Sequence, residues 1–152
     1  MMLRSIAILI ARVGLGVVFI AHGWQKFFTN GLSATESGFR GMGAPLPEIS
    51  APAAALIELA GGIGLVIGLA TPIWALLLVA DMVGAYFIAH AGKGLFVAEG
   101  GAELVLALGA GALLLAAVGA GALSVDRMLA DRAPWNRFAG AGQPAVQRST
   151  VS

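Results

Sequence analysis

The chain has 152 residues, 59% of them hydrophobic and 11% charged, with a net charge of +1 and a mean hydropathy of +0.90, whereas a soluble domain carries about 25% charged residues. The composition is that of an integral membrane protein with room for one domain, since four spans of about 20 residues use most of such a length. No basic cluster interleaved with aromatics supports nucleic-acid binding, and the absence of cysteine excludes disulfides, thiol relays, iron–sulfur ligation and covalent haem attachment.

Apolar runs at about 5–27, 52–70, 72–91 and 101–122 predict an all-α fold, a polytopic bundle of four transmembrane helices. The first run opens like a signal peptide, with Arg4 ahead of Ile6–Ile10. Arg12 interrupts that core and the run continues to Phe28 without a good small-x-small cleavage site, so a retained span is expected. Residues 29–51 are rich in Gly, Ser, Ala and Pro and predict a partly helical loop, with Pro45, Pro47 and Pro52 stiffening the approach to the second span. Thr71 as N-cap and Pro72 in the first turn predict a tight hairpin between the second and third spans. Gly92–Gly101 makes the last connection, with Gly100-Gly101 delivering the chain into the fourth span.

The membrane domain is expected over residues 1–127. Residues 128–152 read as a tail with a disordered end, and Trp135 and Phe138 beside Arg132 and Arg137 as an interfacial anchor. Arg4 falls on one side of the membrane with Arg127, Arg132, Arg137 and Arg148, and Arg40 and Lys93 on the other. The positive-inside rule then predicts that both termini are cytoplasmic. Gly61, Gly62, Gly64 and Gly68, including Gly64-xxx-Gly68, suit close helix approach, as do Gly109, Gly111, Gly119 and Gly121 in the fourth span.

The informative residues are the ionisable ones inside these apolar runs: Arg12, His22, Lys26, Glu58, Asp81 and Glu103. A charge at the bilayer centre costs about 3 kcal/mol on insertion scales, so each is expected to be paired or used. Arg12, Leu15, Phe19, His22 and Lys26 recur at steps of three and four and mark the inward face of the first helix. Depth estimated from helical rise brings His22, Lys26, Glu58 and Glu103 together in the outer half of the bundle. It leaves Arg12 deeper, where Asp81 is a candidate partner in a structural ion pair. Lys26 snorkelling to the interface and Glu103 complementing a helix dipole are the plainer alternatives. His22 and His90 at similar depth raise haem ligation, but a coincidence of the only two histidines is no ligand motif, and His90 suits the interface better. His22, Glu58 and Glu103 show no metal-ligand spacing on one helix, so no metal site is expected.

The ordered string Arg12, Gly16, Phe19, His22-Gly23 and Lys26, then Glu58 with Gly61-Gly62, Leu65 and Gly68, resembles the DoxX family of small bacterial membrane proteins. Gly100-Gly101 with Glu103, and Gly119-Ala120-Gly121 leading to Ser124 and Asp126, extend the resemblance over about residues 4–127. It implies a four-helix bundle in the bacterial inner membrane and a link to redox systems, because the family is named for a subunit of a thiosulfate:quinone oxidoreductase. The family's polar positions carry over to Arg12, His22, Lys26, Glu58 and Glu103.

The leading expectation is therefore a membrane subunit of a quinone-linked system. In it, His22 or Lys26 donates to a quinone carbonyl, Glu58 and Glu103 exchange protons, and apolar helix walls hold the tail. Its partners are the lipid bilayer and either oxidoreductase subunits or further copies of itself. The alternatives are a non-catalytic scaffold or assembly partner for an oxidoreductase, and a small proton-coupled transporter. Whether the chain is itself catalytic is left open by its sequence.

Overall fold

A computed structural model describes residues 2–129; the expected tail beyond them, with the Trp135–Phe138 anchor, lies outside the described residues. Every regular element within them is helical: α1 (Met2–Trp24), α2 (Leu32–Gly41), α3 (Pro47–Ile67), α4 (Thr71–Ala85), α5 (Glu103–Val118) and α6 (Val125–Met128). Two helices end in π turns at the same end of the bundle, α1 through Gln25–Thr29 and α4 through Tyr86–His90. We call this the distal end, opposite the N-terminus. With their π turns, α1 and α4 are long and apolar enough to span a bilayer, as is α3; α5 is apolar but shorter. The all-α membrane bundle expected from the sequence is what the chain forms.

Packing follows an order that no run length reveals. α1 lies chiefly on α3 and α5 on α4, and the two pairs meet through the α3–α4 hairpin. The core holds Phe19, Leu65, Leu78, Leu108 and Leu115 with Ala51, Ala55, Ala75 and Ala112, while Ile10, Leu56, Leu76, Phe87 and Leu114 point outward. Small residues inside and large apolar ones outside is the arrangement of helices whose surroundings are lipid. Glycine sets the closest approach. A Cβ on Gly62 would lie 2.7 Å from the Gly16 carbonyl oxygen and the Ile20 nitrogen, so α1 and α3 touch backbone to backbone. Gly64-xxx-Gly68 is not a single packing face: Gly64 receives the Trp74 ring, and Gly68 adopts a left-handed conformation at the end of α3.

The helix boundaries differ from expectation where prolines lie. Pro47 opens α3 at its first turn, where its missing N–H is no loss, and Pro52 sits inside the helix rather than ahead of it. α3 therefore starts five residues earlier than the apolar run suggests, which moves Glu58 from near its start to its middle. Thr71 is not the N-cap of α4. It is the first helical residue, Ala70 precedes it in a left-handed conformation, and the cap comes from a distant part of the chain.

Candidate functional site

Two polar assemblies are spaced along the bundle, and their membership differs from the grouping the sequence suggests. The first lies at the end carrying the N-terminus and the α3–α4 turn. α3 ends in a Schellman motif, with Leu69 N–H donating to the Gly64 carbonyl (3.0 Å) and Gly68 N–H to the Leu65 carbonyl (3.2 Å). Arg12, only 2% exposed, reaches across from α1 to the same terminus, donating to Leu65 O at 2.9 Å and to Val66 O at 2.8 Å, and also to Leu123 O in the segment before α6. A guanidinium is thereby placed at the negative end of the α3 dipole.

Asp126 completes this assembly from α6. Its carboxylate accepts from Ala70 N–H at 2.7 Å and Thr71 N–H at 3.0 Å, and its own N–H donates to the Gly68 carbonyl at 2.8 Å. It caps α4 from outside the helix and lies within electrostatic range of Arg12. The expected Arg12–Asp81 ion pair is thus not formed. Arg12 is spent on the α3 terminus and has Asp126 as its nearby carboxylate, while Asp81 belongs to the other assembly.

That second assembly is built around Lys26, in the π turn that ends α1. Its ammonium donates to the Glu58 carboxylate of α3 at 2.5 Å, with the side chains 20% and 6% exposed. Asp81 of α4 lies within electrostatic range of both. The hairpin register explains why. Glu58 stands as many residues before Leu69 as Asp81 stands after Ala70, so the antiparallel helices place them opposite each other, one turn beyond the Gly61–Leu78 contact. α2 folds over the π turn: buried Thr35 donates its hydroxyl toward the Lys26 and Gly31 carbonyls, each at 3.0 Å.

Of the four residues expected to share this site, the structure joins two. Glu103 accepts from Val97 N–H at 2.7 Å and fastens the loop before α5. His22 lies one turn before Lys26, partly buried, and makes no hydrogen bond among the described residues. His90, at the end of the second π turn, is held to the Gly100 carbonyl at 2.8 Å. Asp81 joins in their stead. Glu58 and Asp81 lie midway along α3 and α4, and Lys26 reaches them from the π turn at the distal end of α1. Among the described residues no group of three or more His, Asp or Glu could hold a metal ion. An apolar groove of about 340 Å³ runs between α4 and α5, past Met82, Tyr86 and Gly109, and does not include Lys26 or Glu58.

The Gly-rich α1–α3 contact with its Lys26–Glu58 pair falls inside a match to the DoxX family model that covers residues 7–91, more than half of the chain. The chain belongs to the DoxX family. The matched segment holds Arg12, Lys26, Glu58 and Asp81 and ends before α5, so Glu103 and Asp126 lie outside it. Among curated relatives, an "Uncharacterized protein" of Haemophilus influenzae is 38% identical over 98 residues, which is 62% of this chain and 69% of that one. The "Putative oxidoreductase CatD" of Bacillus subtilis is 38% identical over 81 residues, 53% of this chain and 58% of that one. The chain therefore spans under two thirds of the second relative. No solved structure matches.

Two contributors escaped the sequence reading. Asp126 reads as a membrane-flanking charge beside Arg127, and only its contact with Ala70 and Thr71 reveals a cap. Thr35 carries no signal within a Ser/Gly-rich loop. Asp81 could have been placed by counting equal steps away from the Leu69–Ala70 turn.

Proposed function

We propose that this DoxX-family chain is the membrane subunit of a redox system and that Lys26, backed by Glu58, receives a quinone-type head group. One observation carries this reading: donors are left over on an ammonium that meets two carboxyl groups inside an apolar bundle. Lys26 has three N–H donors and gives one to Glu58; no other acceptor takes from its ammonium among the described residues. Asp81, beside it, accepts no hydrogen bond among the described residues. An ammonium with spare donors in apolar surroundings suits a carbonyl oxygen, and its partial exposure leaves it approachable.

A quinone held there supplies the two-electron, two-proton carrier chemistry that a chain without cysteine lacks. Lys26 binds the carbonyl, Glu58 holds the ammonium in position, α2 limits water through its Thr35 contact, and the apolar helix walls accommodate the tail. Electrons come from another subunit, and a redox role accords with the name of the Bacillus relative, a "Putative oxidoreductase". The location that goes with this reading is the bacterial inner membrane, with both termini cytoplasmic and α2 outside. The competing role is a polar brace for an assembly scaffold, and it draws on the Arg12–Asp126 assembly, where buried charge demonstrably serves helix ends.

Thermal unfolding of the detergent-purified protein with a short-chain quinone analogue separates the two. Saturation at about 100 Kd stabilises by roughly 2.7 kcal/mol, which raises the melting temperature by several degrees. Lys26→Met abolishes that rise and Glu103→Gln keeps it. No rise in the unmodified protein, together with no quinone in the purified sample, rules out the head-group site and leaves the brace.

A further inference from the structure

We propose that Asp81 is a proton-binding carboxyl, the protonated member of the three-group site it forms with Lys26 and Glu58. The inference starts from a charge count. Two carboxyl groups face one ammonium, and the ammonium is already committed to Glu58 at 2.5 Å. Asp81 stands close enough to sense both partners, yet no donor reaches its oxygens among the described residues. An ionised carboxylate in that position would sit in an apolar bundle with repulsion from Glu58, a cation shared with Glu58, and no hydrogen bond. Binding a proton removes all three penalties at once.

The other charged groups that could alter this balance are accounted for on each neighbouring element. α3 contributes Glu58 and the π turn of α1 contributes Lys26. Arg12 of α1 is occupied at the end of the bundle carrying the N-terminus with the carbonyls of Leu65, Val66 and Leu123. Glu103 of α5 is bound to the Val97 amide, and the ring of His90 to the Gly100 carbonyl. His22, one turn before Lys26 on α1, is the remaining titratable group on that face. Apart from His22, no second cation among the described residues is placed to hold Asp81 as an anion.

The arrangement also gives Asp81 a reason to exchange its proton. When Glu58 is neutralised, the ammonium becomes available to Asp81. The Asp81 proton can then pass to a ligand or to water, leaving a carboxylate that faces the ammonium. Asp81 is partly exposed rather than sealed, so reprotonation needs no unfolding. Service of this proton in a redox reaction rests on the function proposed above; the protonation itself does not.

Dicyclohexylcarbodiimide, an apolar reagent that adds to protonated carboxyl groups within membranes, tests the inference without a quinone. Peptide mass spectrometry of the treated full-length protein in lipid nanodiscs should place one adduct on Asp81 and none on Glu58, falling about tenfold per pH unit once the group ionises. In Glu58→Gln, Asp81 becomes the sole counter-ion of Lys26 and its labelling drops at least as far. Infrared difference spectra across the same pH range provide a readout that does not depend on reagent access: a protonated-carboxyl band should vanish in Asp81→Asn. An adduct on Glu58 in place of Asp81, or neither an adduct nor a band assignable to Asp81, overturns the proposal. A proton on Asp81 with no thermal response to the quinone analogue upholds this inference while refuting the quinone site.

Discussion

Replacing Asp126 with alanine should destabilise the bundle by about 3 kcal/mol, although this residue lies outside every apolar run. The estimate follows from two bonds. The Asp126 carboxylate accepts from the Ala70 and Thr71 amides at 2.7 and 3.0 Å, and Thr71 is fully buried. Each N–H stranded without a partner costs roughly 1–3 kcal/mol, and the α4 N-terminus also loses a favourably placed anion worth up to about 1 kcal/mol. Arg12, 2% exposed, loses its nearby carboxylate at the same time. Packing contributes little in the other direction, since the side chain removed is small.

At about 2–4 °C per kcal/mol for a chain of this size, the melting temperature in detergent should fall by about 6–12 °C. Asp126→Asn retains one acceptor oxygen and should fall between the alanine variant and the unmodified protein, whereas Arg127→Ala, exposed beside it, should melt as the unmodified protein does. A drop for Asp126→Ala no larger than that of Arg127→Ala would refute the capping account. Equal drops for the alanine and asparagine variants would assign the effect to charge opposite Arg12 rather than to the two amides.

Two further outcomes check the packing and the orientation. Gly62→Ala places a methyl 2.7 Å from the Gly16 carbonyl oxygen and should cost about 1–3 kcal/mol through overpacking; Gly14→Ala, with nothing within 4 Å, should be neutral or stabilise by about 0.5–1 kcal/mol, both read by thermal unfolding. In this cysteine-free chain, a single Ser37→Cys on exposed α2 should react in intact cells with a maleimide that cannot cross the membrane, and Ser5→Cys should react only after lysis. The reverse pattern would overturn the orientation expected from Arg4, Arg127, Arg40 and Lys93.

Much of the bundle was legible because one-dimensional signals govern it. Uninterrupted apolar runs near 20 residues leave the backbone no option but helix in lipid, and a three-and-four spacing on α1 places Arg12 and Lys26 on its inward face whatever the neighbours are. Lys26 with Glu58 was within reach for the same reason. Element ends were harder: a proline reads as a break, yet Pro47 is compatible with the first turn of α3, and moving that boundary shifted Glu58 to mid-helix.

The sequence by itself determined the all-α membrane architecture, the inward placement of charge and the tight Leu69–Ala70 hairpin. Partner choice was decided only by tertiary structure. Arg12 could have met Asp81 or orphan helix carbonyls, and Glu103 could have faced Glu58 or its own loop; helical periodicity gives a residue its face but says nothing of which helix lies opposite. The pairing of α1 with α3 and the return of α6 beneath the hairpin settled those choices. They gave Arg12 and Asp126 to the helix ends and left Lys26, Glu58 and Asp81 as the charged group at the bundle's centre.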